Sequence, residues 1–337
     1  MSGRRRGIYA SALRCLTWLL SKPYACLMRL RRWVYRRGLL SARAAGVPVV
    51  SVGNITAGGT GKTPMVAWVV ARLKKAGRSP AILIRGYKAV GGRSDEAELL
   101  QRLTGAPVIV NPDRLAGARA AVADGANCLV VDDGFQHLRL RRDLDVVLID
   151  ATRAFGYGHC LPRGLLREPL TALRDADAIV ITRSNLIERE ELTSLRLRLE
   201  RLAPTASIHL GVHAPVALSG AAGEKLPVSE LAGRRVCAFC GIGNPEAFFA
   251  TLVSAGAEVA ERVAFDDHVA YDEVAVGHIA EAAAACRAEV LVTTAKDRVK
   301  IDGASRLPVP LWAVEVEMHI VEAAEALEAS IMGALGH

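Results

Sequence analysis

The run Ser51-Val-Gly-Asn-Ile-Thr-Ala-Gly58-Gly59-Thr60-Gly61-Lys62-Thr63-Pro64 holds the residue types and spacing best suited to chemistry. Glycines let consecutive backbone N–H groups face phosphate oxygens without Cβ clashes. An apolar strand before the loop and a helical pattern after it place the loop at a helix N-terminus, whose positive end favours anions. Lys62 would reach the β- and γ-phosphates, and Thr63 would offer its hydroxyl to Mg²⁺. Thr56 stands where the strict G-x-x-x-x-G-K-[ST] pattern has its first glycine. The remaining glycines supply the local freedom, so Gly58, Gly59, Thr60, Gly61, Lys62 and Thr63 are expected to form a nucleotide site.

Such a loop needs a metal-binding acid at the end of a neighbouring strand. Cys128-Leu-Val-Val-Asp132-Asp133-Gly134-Phe-Gln-His137 supplies two carboxylates where four strand residues run out. Adjacent strand residues point to opposite sides, so one of Asp132 and Asp133 is expected to touch Mg²⁺ directly. Alone, an Asp-Asp-Gly run is often only a solvated turn.

The elements around these residues alternate. Strands are expected at 48–53, 81–84, 108–110, 128–132, 146–149 and 178–182, with helices at 64–75, 95–103, 112–123 and 188–201. Strands this apolar lie buried on both faces, as in a doubly wound parallel α/β sheet covered by helices. Short strands near 208–212 and 215–218 look like a connector to a second, smaller α/β set, closed by a helix at 321–334. The expected division is an N-terminal segment 1–43, a P-loop domain 44–205, a smaller domain 206–320 and a C-terminal helix 321–337.

The chain has 337 residues, 51% hydrophobic and 23% charged, which excludes disordered and polytopic membrane classes. Its net charge of +8 is local: residues 1–43 carry eleven Lys and Arg and no acid, and the first acid is Asp95. The body is close to neutral and poor in aromatics (5%), which argues against a nucleic-acid platform. The apolar stretch 8–20 contains Arg14 and is too short to span a bilayer. Beyond Pro23, Leu27, Leu30 and Val34 share one helical face, with Arg29, Arg32 and Arg36 opposite. With Trp18, Trp33 and Tyr35 alongside, this is expected to be an amphipathic helix or helix pair on an anionic membrane surface. The bland alternative is a helix docked on the protein's own core. Seven scattered cysteines are no secreted disulfide framework, and Cys237 and Cys240 are expected to be thiols of a strand core.

The phosphate loop, Arg85-Gly86-Tyr87, the Asp132–His137 run, Leu161-Pro with Leu166-Arg-Glu168-Pro, and Phe265-Asp-Asp-His268 stand in order along the chain. Together they make it resemble the tetraacyldisaccharide 4′-kinase family over essentially its whole length. The resemblance implies ATP and Mg²⁺, with the γ-phosphate passing to the 4′-hydroxyl of a tetraacylated glucosamine disaccharide 1-phosphate. It implies a peripheral enzyme on the cytoplasmic face of the bacterial inner membrane, with no nucleic acid and no protein partner inferred. It also implies a catalytic dyad of Asp95 and His268, with Glu168 near the metal and Tyr87 and Arg114 near the substrate or phosphates. The family's usual Gly before and Pro two residues after that Asp are Ser94 and Ala97 here. Bottom-up, a carboxylate can take a sugar hydroxyl's proton while a histidine orients it. Taken singly, Asp95 is equally an N-cap and His268 a polar loop residue. No role is assigned to Lys296-Asp297. A rival is a membrane-associated P-loop ATPase acting on a protein partner, which would need neither Asp95 nor His268.

Overall fold

The computed structural model describes residues 7–86, 95–220, 223–267, 269–301 and 307–336. They form two compact units, one of 7–86, 104–212 and 320–336 and the other of 95–103 and the described part of 213–319. The first differs from the sequence-based domain 44–205. Residues 95–103 group with the second unit, and the C-terminal stretch returns to the first.

In the first unit, strands β1 (Val49–Asn54), β2 (Pro80–Ile84), β4 (Cys128–Asp132), β5 (Leu144–Asp150) and β6 (Ala178–Thr182) are buried at every position. With β3 (Val108–Val110) and the start of β7 (Ser207–Ser219) they form a parallel sheet in the order β7-β6-β5-β1-β4-β2-β3. β-Branched side chains suit such two-sided burial, which is why these runs lack the polar alternation of an exposed sheet. β1 lies between β4 and β5, with Val52 in register with both Asp132 and Val146. The chain thus leaves β1 on one side and returns on the other, the crevice where open α/β sheets bind ligands. Helices α2 (Lys62–Lys75) and α4 (Arg114–Ala123) bury Met65, Val69, Leu73, Leu115 and Ala118.

The second unit holds β9 (Arg235–Cys240), β10 (Glu258–Ala264), β11 (Val290–Thr294) and most of β12 (Leu311–Glu322), parallel in the order β10-β9-β11-β12. Helices α6 (Pro245–Ser254) and α7 (Glu273–Ala285) belong to it, as do residues 95–103 of α3 (Asp95–Thr104). The two expected connector strands are one: β7 runs unbroken for 13 residues, and Pro215 does not interrupt it. β12 is longer than the sequence implies, and α9 (Ala324–Ala334) starts correspondingly later. Cys237 and Cys240 are fully buried, and burial pushes both thiols up to about 12, as fits core residues.

The N-terminal segment is a single helix, α1 (Ile8–Arg36), that passes through Pro23. Its faces are opposite to what a soluble helix would show. Leu13, Leu16, Leu19, Leu20, Leu27 and Leu30 are more than half exposed, while Ser21 and Arg32 are buried. Periodicity located the two faces but not their direction. Arg32, expected with Arg29 and Arg36 on the face opposite the leucines, points into the protein and pairs with Glu168 and Asp175. Those acids outbid solvent because a guanidinium fork can engage several oxygens at once. Among the described residues no helix is long and apolar enough to cross a membrane.

Candidate nucleotide and phosphoryl-transfer site

The loop between β1 and α2 is braced from four directions. Asn54 closes β1 and donates its amide to Thr56 O and to Thr60 Oγ1, both at 2.9 Å. Thr182 Oγ1, at the end of β6, donates to Thr60 O at 3.0 Å. Arg183 donates to Gly59 O at 3.0 Å and is ion-paired with Asp150 at the end of β5. The segment 165–167 runs beside the loop, with Ala57 N donating to Leu165 O at 2.7 Å and Arg167 N to Ile55 O at 2.8 Å. Most of these contacts fall on loop carbonyls, while Ala57 N is itself engaged, and together they hold the loop backbone in place before an anion arrives.

Two glycines have particular work. Gly61 caps α2 at φ +90°, a left-handed conformation that places Lys62 and Thr63 in the first helical turn. At Gly53 a Cβ would sit 2.6 Å from Phe135 Cβ, so only glycine lets the turn after β4 close on β1.

That turn carries the acids. Asp132 ends β4 and is 3% exposed. Asp133 adopts φ +55°, a left-handed region that aspartate tolerates. Arg167 grips Asp133 with two parallel bonds of 2.7 and 2.6 Å and also reaches Asn54. Lys62 Nζ lies 3.5 Å from Asp133 Oδ1. Burial works to raise the Asp133 pKa, but the Arg167 hydrogen bonds and the Lys62 charge outweigh it and hold the carboxyl well below the usual range. Arg114 is 4% exposed; it donates to Asn111 O and, at 3.3 Å, to Asp132 O, and so supports the backbone at the end of β4. His137 is depressed to about 4, first by burial and then by Arg114 and Arg142, so it is neutral at pH 7.

Asp133 sets a pH dependence. A depressed carboxyl contributes stability that is present above its unfolded pKa of about 3.9 and lost as pH falls below it. Arg167→Met should therefore flatten the acid limb of a Tm-against-pH curve between about pH 5 and 3. A mutant limb as steep as the wild type's would mean that Arg167 does not hold this charge.

Glu168 is 1% exposed and bonded to Arg32; burial raises its pKa and Arg32 opposes the rise. Among the described residues no three metal-ligating side chains are gathered, so Asp132, Asp133 and Glu168 do not make an all-protein metal cage. The donors that do adjoin the loop are oxygens, the Thr63 hydroxyl and the carboxylate at the end of the strand next to β1. One or two protein oxygens fit Mg²⁺, which keeps waters and takes its other ligands from phosphates.

Of the remaining expected site residues, Asp95 is the first residue of α3, and Tyr87 and His268 lie outside the described residues. Asn54, Arg167, Arg183 and Asp150 escaped sequence reasoning as a bracing set. Apart from Asn54's bonds to Thr56 and Thr60, their partners lie 33 to 124 residues away, so no local spacing announces them. In the second unit Asp297 is fully buried and accepts from Gly241 N at 3.0 Å and Thr294 Oγ1 at 2.8 Å. Lys296 pairs with Asp267 at 3.2 Å. The unassigned Lys296-Asp297 pair thus ties the start of α8 (Ala295–Arg298) to the turns after β9 and β10.

A parallel sheet with this loop at its central strand, a lysine and a hydroxyl opening the next helix and an acid ending the neighbouring strand define a P-loop phosphotransferase. The model of the LpxK family, tetraacyldisaccharide-1-P 4′-kinase, matches residues 13–335, and the chain belongs to that family. It is 40% identical to the tetraacyldisaccharide 4′-kinase of Syntrophus aciditrophicus over 88% of this chain and 90% of the relative. It is 42% identical to that of Anaeromyxobacter sp. strain K over 94% and 89%. Its structure is similar to a crystal structure described as "apo" form LpxK from Aquifex aeolicus in complex with ATP. The TM-score there is 0.73 at 28% identity, covering 96% of this chain and 99% of that one.

Proposed function

We propose that this kinase transfers the γ-phosphate of ATP to the 4′-hydroxyl of a tetraacylated glucosamine disaccharide 1-phosphate. The observation that carries this reading is the braced loop 55–63, set in a chain that matches the family along 13–335. Lys62 and the loop N–H groups stabilise charge that spreads over the transferring group. Arg167 and Lys62 keep Asp133 ionised beside that lysine. Thr63 and Asp132 would hold Mg²⁺, which when bound neutralises phosphate charge; Asp133 and Glu168 would act around it. Asp95 would accept the acceptor hydroxyl's proton with His268 orienting it, and Tyr87 and Arg114 would stand near substrate or phosphates. Incubation with labelled ATP, Mg²⁺ and a panel of detergent-dispersed glycolipids tests the reading. Label should appear on the tetraacyl disaccharide 1-phosphate. Equal ATP turnover with and without any acyl sugar would instead favour an ATPase.

The enzyme would meet this lipid at the cytoplasmic face of the inner membrane, held there peripherally by α1. Support comes from the outward row of leucines with Trp18 and Trp33, flanked by exposed Arg29, Arg36 and Arg37. An apolar face and a few cations, each worth at most about 1 kcal/mol at an anionic surface, are individually weak anchors but jointly sufficient. Replacing Leu16, Leu19 and Leu27 by Ser should release the protein from anionic vesicles at low salt, read by sedimentation. Full retention of that triple variant on the vesicles would remove α1 as the anchor.

A further inference from the structure

We infer that Arg32 is a positioning residue of the nucleotide site, so that α1 is a working part of that site as well as its anchor. The inference rests on the nucleotide-site assignment above. Arg32 is 5% exposed, while its neighbours on the same helix, Arg29 and Arg36, are exposed. Its guanidinium bonds to Glu168, to Asp175 Oδ2 at 2.6 Å and to Phe135 O at 3.0 Å, and lies 4.2 Å over the Phe135 ring. Phe135 and Glu168 stand in the two segments that build the phosphate cradle: the turn holding Asp132 and Asp133, and the segment holding Arg167. One side chain therefore ties both segments together behind the loop.

Two further contacts of α1 reach the same segments. Tyr24 OH donates to Arg167 O at 2.8 Å, and Arg31 donates to Gln136 O at 2.9 Å. Arg167 in turn holds Asp133, and Gln136 Nε2 donates to Asn54 O at 2.8 Å. A helix serving only as an anchor would leave its arginines to solvent or headgroups, because burying a guanidinium is costly unless its donors are filled. Here a planar fork meets acceptors from three segments, which a lysine's point charge cannot reproduce.

The test uses the full chain in detergent. ATP affinity is measured by equilibrium binding without acceptor lipid, kcat and KM are measured with it, and vesicle sedimentation is run in parallel. Arg32→Met should weaken ATP binding at least fivefold and lower kcat/KM for ATP by 10-fold or more, with vesicle binding unchanged. Arg32→Lys should recover part of the loss, and Lys22→Ala, which removes an exposed cation from the same helix, should stay within twofold of wild type. Wild-type ATP affinity and kcat/KM in Arg32→Met and Arg32→Lys, even with a lowered Tm, would overturn the inference and leave Arg32 a fold contact. If Arg32→Met does not fold, Arg32→Lys decides alone: a loss of threefold or more in ATP affinity supports the role, and a wild-type value ends it. If Lys62→Ala also binds and turns over ATP normally, the nucleotide-site assignment has failed. That result is distinct from a failure confined to the Arg32 variants.

Discussion

Lys62→Ala should lower phosphoryl transfer by about 10³-fold or more while the fold persists, because the proposed role sets this side chain against charge that grows as the phosphoryl group transfers. A single positioned donor at developing charge is worth about 10²–10³ in turnover, and a full cation in a partly desolvated cradle should exceed that. Lys62 opens α2, so its backbone also lies at the helix's positive end, which the substitution leaves intact. ATP binding should therefore survive better than transfer does. Its partner gives a second reading of the same site. Removing Lys62 leaves Asp133 with Arg167 alone, so the carboxyl should rise toward its ordinary range without reaching it. Single-turnover assays separate the chemical step from binding; a variant within a few-fold of wild type would remove Lys62 from the mechanism.

The phosphate loop, its flanking strand and helix, and the acid at the end of β4 were legible in the sequence because each is local. A glycine run between an apolar strand and a helix has few other uses, and four strand residues before two aspartates fix where the carboxylates emerge. What the sequence withheld depends on distant partners. Asn54 reads as one more strand-end residue until Thr60 and Arg167 are seen on its side chain. Arg183 looks like a loop cation, yet it is a buried brace between Gly59 O and Asp150. Helix α1 shows a different limit. Helical periodicity is symmetric with respect to inside and outside, so the pattern of leucines and arginines was plain while its orientation was not. The usual preference for apolar-inward is overridden because Glu168 and Asp175 wait beneath the helix for the arginine face. An outward apolar face is more stable against something apolar, and this is the ground on which α1 is proposed as the anchor. The grouping of residues 95–103 with 213–319 was also hidden, since in sequence they fall between β2 and β3 of the other unit.

The proposed dyad has its own test. Asp95 begins α3. Asp95→Ala and His268→Ala should each cut turnover by about 10²–10⁴, the usual worth of a positioned acid–base group. A sugar hydroxyl is nearly neutral until its bond to phosphorus forms, so its proton must leave as transfer proceeds; a carboxylate can take it, and an imidazole can orient that carboxylate. If the two act as one unit, the double variant should lose little more than the worse single one, because removing either disables the same proton transfer. Losses that multiply would instead mean that the groups act at separate steps. ATP affinity should hardly change in any of the three, since Lys62, Thr63 and the braced loop are untouched, and this separates a dyad defect from a nucleotide-site defect. His268→Ala with wild-type kcat and KM for both substrates would sink the dyad and leave the acceptor proton to Asp95 alone.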